Sequence, residues 1–138
     1  MYSSIVIAAA LFNEGATTRA ALTKAQSLLN EGGKITLVHV IDEVPGYVAA
    51  SIPKEHMSAR RREVENQLVE IAKSATGLNV QAVIREGQPS ASILGTAKEA
   101  NADLIMIASH KPGLSDYFIG STAARIVRHA PISVLVTR

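Results

Sequence analysis

The stretch Leu104-Ile105-Met106-Ile107-Ala108-Ser109-His110-Lys111-Pro112-Gly113 couples an unbroken apolar run to turn-forming residues. Leu104 to Ser109 lacks the apolar–polar alternation of a strand with one wet face. Such a run is expected where helices cover both faces of a parallel sheet. Downstream, Ala123, Ile126, Val127 and Ala130 fall on one helical face. Ser121 is expected to cap that helix and Pro131 to end it. Ile132 to Thr137 then reads as a further strand. Strand, crossover helix and strand make one parallel βαβ unit.

The same pattern extends toward the amino end. Ser4 to Ala10 and Lys34 to Asp42 are strand-like runs, while Asn79 to Arg85 alternates more, as an edge strand does. Ala21, Leu22, Ala25, Leu28 and Leu29 form one helical stripe, and Val64, Leu68, Ile71, Ala72 and Ala75 a second. Ile93, Leu94, Ala97 and Ala100 form another. Gly32-Gly33 is expected to stop the first helix and Gly77 the second, with Pro89 in the first turn of the third. The order is β-α-β-α-β-α-β-α-β, so residues 1–138 are expected to form one domain. Strict alternation predicts a three-layer, doubly wound α/β fold of Rossmann-like type. Its five-stranded parallel sheet is expected in the order 3-2-1-4-5. The long connection from Glu43 to Glu55 carries Pro45, Gly46, Tyr47 and Pro53, and connections of that length often cover a site.

Composition excludes several classes. Of 138 residues, 47% are hydrophobic and 19% charged, enough for a core without staples. No cysteine is present, so disulfides, thiolate nucleophiles and cysteine-bound zinc are ruled out. That usage fits a cytoplasmic location. The net charge of +2 is too balanced to imply nucleic acid, and Arg60-Arg61-Arg62 is followed by Glu63 and Glu65, as on a solvated helix face. Three tyrosines and two phenylalanines make no base-stacking platform. Ile5 to Phe12 is too short for a membrane span and has no basic residues before it, so neither membrane insertion nor a signal peptide is expected.

The fold rule places the crevice between the first and fourth strands, at their carboxyl ends. Two loops meet there: one from Ala10 to Glu14, the other from Ala108 to Thr122. The second ends in Gly120-Ser121 at a helix start, where free N–H groups favour an anion. Lys111 adds a positive charge to it.

This segment, continued through Arg125-Ile126-Val127-Arg128-His129-Ala130-Pro131 to Val136, resembles the carboxyl-terminal signature of the universal stress protein family. Leu37-Val38-His39-Val40-Ile41-Asp42 is similar to the family's second strand, and Glu86-Gly87-Gln88-Pro89 to its third strand-to-helix junction. The likeness covers the whole chain and is closest to the F and G type. It implies an adenine nucleotide alpha hydrolase-like fold and a site for ATP or another adenine nucleotide, with or without Mg. The implied nucleotide-binding residues are Ala8, Ala10, Val40, Gly87, Ala108, Ser109, His110, Lys111, Gly113, Gly120, Ser121 and Thr122. Val40 takes the position whose backbone faces adenine. Departures are clear: Ala108 and Lys111 replace the first two loop glycines, and Ala10 stands where nucleotide-binding members carry an aspartate. The missing charge-assisted hydrogen bond costs about 1.5–3 kcal/mol. Asn13 and Thr17 are the nearest candidates to replace it.

The expected function is therefore that of a cytoplasmic stress-response protein binding an adenine nucleotide, with hydrolysis slow at most. The rival is a nucleotide-independent interaction protein of the same fold. Phosphotransfer or hydrolysis ranks third. Gly-x-Ser-x-Gly, Gly-x-x-x-x-Gly-Lys and Gly-x-Gly-x-x-Gly are all absent. The four histidines lack metal-ligand spacing, and His39 reads as a satisfied core or edge residue. The last strand, Ile132 to Thr137, would leave an apolar sheet edge exposed. Two copies pairing about a two-fold axis would cover it, and the family resemblance also implies a homodimer.

Overall fold

The computed structural model describes residues 1–42, 45–109 and 119–138. Five strands, β1 (Tyr2–Ala8), β2 (Leu29–Ile41), β3 (Asn79–Glu86), β4 (Leu104–Ala108) and β5 (Ser133–Thr137), form one sheet. All pairings are parallel and the order is β3-β2-β1-β4-β5, as the alternation predicts. The helices are α1 (Phe12–Leu28), α2 (Gly46–Ala49), α3 (Lys54–Ser74), α4 (Pro89–Glu99) and α5 (Ser121–His129).

Strand parity assigns the two half-cores. Ile5 and Ile7 of β1, Ile35 and Leu37 of β2, and Leu104 and Met106 of β4 pack against α1 and α3. The intervening Val6, Val38, Ile105 and Ile107 pack against α4 and α5. Buried on both sides, β1 and β4 need apolar residues at consecutive positions, which is why their sequences do not alternate. β3 lies at the edge and is only partly buried.

Several boundaries differ from expectation. α1 ends at Leu28, and Leu29 already has extended dihedrals (φ −84°, ψ 132°), so Gly32-Gly33 does not stop the helix. The two glycines lie instead within β2, where the register against β1 shifts: Tyr2 faces Leu29, but Ser4 faces Lys34. Gly32 takes φ +77° in this bulge, a value that favours glycine. β1 closes at Ala8 rather than Ala10, and β5 opens at Ser133 rather than Ile132. α3 ends at Ser74, three residues before Gly77. Gly120, not Ser121, is the N-cap of α5, with no side-chain cap bond. The connection after β2 contains α2, a helix the sequence reading omits. Pro89 does open α4, with the Gln88 side chain accepting from Ala91 N–H at 2.7 Å. α5 stops before Pro131, with extended Ala130 (φ −70°, ψ 130°) as its last cap. The Arg60-Arg61-Arg62 run is exposed on α3, and Arg61 pairs with the Glu86 carboxylate.

At the amino-terminal end of the sheet, Asp103 ties the α4–β4 turn to β1. Its carboxylate accepts from the N–H of Ser3 (2.9 Å) and Ser4 (3.0 Å), and its own N–H donates to Ser4 O at 2.9 Å. Desolvation pushes this carboxyl upward. The N–H donors of Ser3, Ser4 and Asp103 itself, with the charged amino terminus, outweigh that push and hold it below the usual carboxylate range. A carboxyl depressed in the folded state contributes stability above its unfolded pKa, about 3.9, and that contribution is lost as pH falls through the folded value. Asp103→Asn is expected to lower stability at neutral pH and to shrink the stability lost on acidification below about pH 4. Urea melts across a pH series check this; wild-type and variant curves that stay parallel into acid would refute it.

Candidate functional site

β1 hands the chain to the α1 layer, whereas β4 leads toward α5 on the opposite face. The divergence opens the sheet at its carboxyl end into a cleft of about 480 Å³. Its floor is built from strand ends: Ala8 to Ala10, Val38 to Val40, and Ile107 to Ser109. Pro89 and Ile93 of α4 form one wall, Gly120 to Ala123 of α5 another, and Phe12 a third. The small side chains of Ala8, Ala10 and Ala108 keep the floor low.

Backbone geometry at this floor is fixed by short polar contacts. Ala10 N–H donates to Thr18 Oγ1 at 2.8 Å, and the same hydroxyl donates to Ala10 O at 2.9 Å. Thr18 is buried, so the grip on Ala10 comes from inside the α1 layer. Beyond Ala10 the backbone makes an irregular entry into α1, with Asn13, Glu14 and Gly15 all left-handed at φ 53°, 56° and 73°. Across the cleft, Ser109 N–H donates to Thr137 O at 2.8 Å, and Ser109 O accepts from Gly120 N–H at 2.5 Å. That contact brings the start of α5 against the end of β4. It requires glycine, because a Cβ on Gly120 would sit 2.6 Å from Ser109 O.

The polar character of the cleft comes from a few groups. Ser109, Ser121 and Thr122 are the hydroxyl-bearing residues among its lining, with Ser109 itself buried. The first turn of α5 leaves the N–H groups of Ser121, Thr122 and Ala123 without intrahelical acceptors, and the N-cap, Gly120, has no side chain to supply one. Such an end carries a partial positive charge that favours an anion. Among the described residues, no Asp, Glu, Lys or Arg lines the cleft.

The structure thus brings Ala8, Ala10, Val40, Ala108, Ser109, Gly120, Ser121 and Thr122 around one space. Gly87 is not among the lining residues. Its N–H donates to Ile41 O at 3.1 Å and its φ of +127° turns β3 toward α4, so its glycine character serves the turn. His110, Lys111 and Gly113 lie outside the described residues. Neither Asn13 nor Thr17 lines the cleft; Thr17 borders a separate cavity with Ala20, Lys24 and Thr137. His39 is the principal addition. Its Nδ1 lies 3.1 Å from Ala9 O, and since a carbonyl only accepts, the proton belongs on Nδ1. His39 borders the cleft at the carboxyl end of β2, with its ring nitrogen satisfied by the Ala9 carbonyl. Its place one residue before Val40, at a strand's carboxyl end, was the available signal.

Among the described residues, no cluster of three His, Asp or Glu is placed to hold a metal ion, and no helix is long and apolar enough to cross a membrane.

Comparison with known proteins gives a consistent result. Residues 1–138 match the universal stress protein family. Universal stress protein G of Shigella flexneri is 29% identical over 146 aligned positions, covering all of both chains. The structure of universal stress protein UspA from Lactobacillus plantarum superposes with a TM-score of 0.77 at 21% identity, covering 99% of this chain and 98% of that one. Two further structures share the fold. One is a universal stress protein in complex with cAMP (TM-score 0.63, 20% identity, 99% and 97% covered). The other is the Archaeoglobus fulgidus protein in complex with dAMP (TM-score 0.62, 18% identity, 99% and 98% covered).

Proposed function

The chain belongs to the universal stress protein family, and from that premise we propose that it is a cytoplasmic stress-response protein whose cleft takes an adenine nucleotide. The observation that carries the reading is the meeting of an apolar floor with the glycine-capped start of α5 in one space of nucleotide size. The base lies against Val38, Val40 and Ile93, and the phosphate against the N–H groups and hydroxyls of Ser121 and Thr122. The backbone of Val40 is the group available to read the base edge. Fold relatives solved with cAMP and dAMP support the ligand class. An accompanying Mg²⁺ finds no carboxylate on the described wall, and no described carboxylate stands there to act as a general base. Binding, rather than turnover, is the role assigned.

The interaction-protein reading stays in play because the described wall is uncharged. β5 supports it: the strand pairs only with β4 among the described residues, leaving its outer edge for a second copy. On either reading the assembly is a homodimer through Ile132 to Thr137.

Calorimetric titration of nucleotide-free protein with AMP, ADP and ATP tests the assignment, with mass measured by light scattering in the same samples. Weak saturable binding by a dimer is expected. Ala10→Asp, restoring a carboxylate at the floor, is expected to tighten it about tenfold. No heat and no thermal shift up to millimolar nucleotide, for both proteins, would remove the nucleotide reading and leave the interaction protein. A monomeric mass would remove the dimer.

A further inference from the structure

At the opposite end of the sheet, where β4 begins, a second cavity of about 460 Å³ lies between α4 and the end of α5. Leu94, Ala97, Ala102, Ile105, Pro131 and Ile132 make it largely apolar. Two polar groups stand at it, both exposed: Lys98 in the last turn of α4 and His129, the last residue of α5. Among the described residues neither is in an ion pair. The neighbouring acid, Glu99, is taken by Arg85 at 2.7 Å.

Gly95 is the telling residue. It lies mid-way along α4, where glycine weakens a helix, and it needs no unusual dihedral. Nor does it admit a close neighbour: a Cβ there would meet nothing within 4 Å. Its effect on the surface is to leave this cavity open on the α4 side.

We propose that this cavity binds a small amphipathic carboxylate, with the apolar tail against Leu94, Ile105 and Ile132 and the carboxylate on Lys98 and His129. The volume falls within the range of small-molecule pockets, and an apolar body with one cationic end selects a ligand of matching polarity. The site is separate from the nucleotide cleft, with which it shares no lining residue.

Octanoate is the probe, and octylamine, of equal tail and opposite charge, its control. Titration of the full chain, followed by amide chemical shifts, is expected to give saturable changes at Leu94, Gly95 and Ile132 with octanoate. Octylamine is expected to bind at least about tenfold more weakly. Gly95→Leu fills the cavity and is expected to abolish the response. Gly95→Ala, with an unhindered Cβ and a better helix former, provides a folded variant that retains part of it. Lys98→Glu is expected to weaken octanoate about tenfold. Saturating AMP is expected to leave octanoate binding unchanged. Equal binding of octylamine, undiminished binding by folded Gly95→Leu, displacement by AMP, or no saturable response at millimolar octanoate would each overturn the proposal.

Discussion

Replacing Gly120 with alanine is expected to lower the thermal midpoint and to weaken nucleotide binding at least about tenfold. The new Cβ would lie 2.6 Å from Ser109 O and 3.7 Å from its carbonyl carbon. The obstruction is backbone, so no side-chain rotation relieves it. Either the end of β4 or the start of α5 must move. Overpacking of this kind costs about 1–3 kcal/mol, and for a chain of this size each kcal/mol lowers the midpoint by roughly 3–4 °C. The Gly120 N–H bond to Ser109 O stretches at the same time. Because the N–H groups of Ser121 and Thr122 ride on this junction, a shift there displaces the groups proposed to hold the phosphate. Backbone strain is not the cause: Gly120 has φ −56°, which alanine accepts readily. Scanning calorimetry and AMP titration on one preparation check both effects. An alanine variant with wild-type midpoint and affinity would show that the close approach is dispensable.

Ile126→Ala is expected to be the most destabilising single truncation in α5. Ile126 is fully buried and sits in the half-core with Val6, Val38, Ile93, Ile105 and Ile107. Losing its outer carbons leaves a void beneath a helix of nine residues, which has few other anchors; Ala123 is the only other buried residue in it. The expected cost is about 2–5 kcal/mol. The adjacent Val127 is 50% exposed, so Val127→Ala is expected to change stability by under about 0.5 kcal/mol. Denaturant melts of the two variants side by side make the comparison. Similar losses at both positions would mean that helix propensity, rather than burial, governs α5.

The architecture was legible because its main signals are local. Unbroken apolar runs at Ile5 to Ile7 and Leu104 to Ile107 report coverage on both faces, and helical stripes between them leave little choice but parallel crossovers. Boundaries set by tertiary contact were not legible. Gly32-Gly33 reads as a helix stop, yet a shift of pairing between Tyr2 and Ser4 draws that segment into β2. The left-handed run from Asn13 to Gly15 likewise has no clear marker beyond an asparagine and a glycine, residues that tolerate positive φ.

For the cleft, topology supplied the location and the family likeness supplied the residues around it. Alanines such as Ala8 and Ala108 carry no chemical signal of their own; they matter because larger side chains would fill the space. His39 behaves as its mid-strand place suggests: its Nδ1 is satisfied by the carbonyl of Ala9, just past the end of β1 and 30 residues away in sequence. Gly87 shows the limit of motif transfer, since its turn geometry accounts for it without a ligand.

Strand parity has a consequence for how this protein can change. Successive residues of β1 report to different helical layers, so Val6 and Ile7 are chain neighbours but structural strangers. Substitutions can accumulate beneath α4 and α5, retuning what lies around the cleft, while the layer beneath α1 and α3 keeps its original fit. The sheet acts as a partition that lets one side drift and the other stay still. A single inserted residue early in β1 would breach that partition by exchanging the two inventories at once.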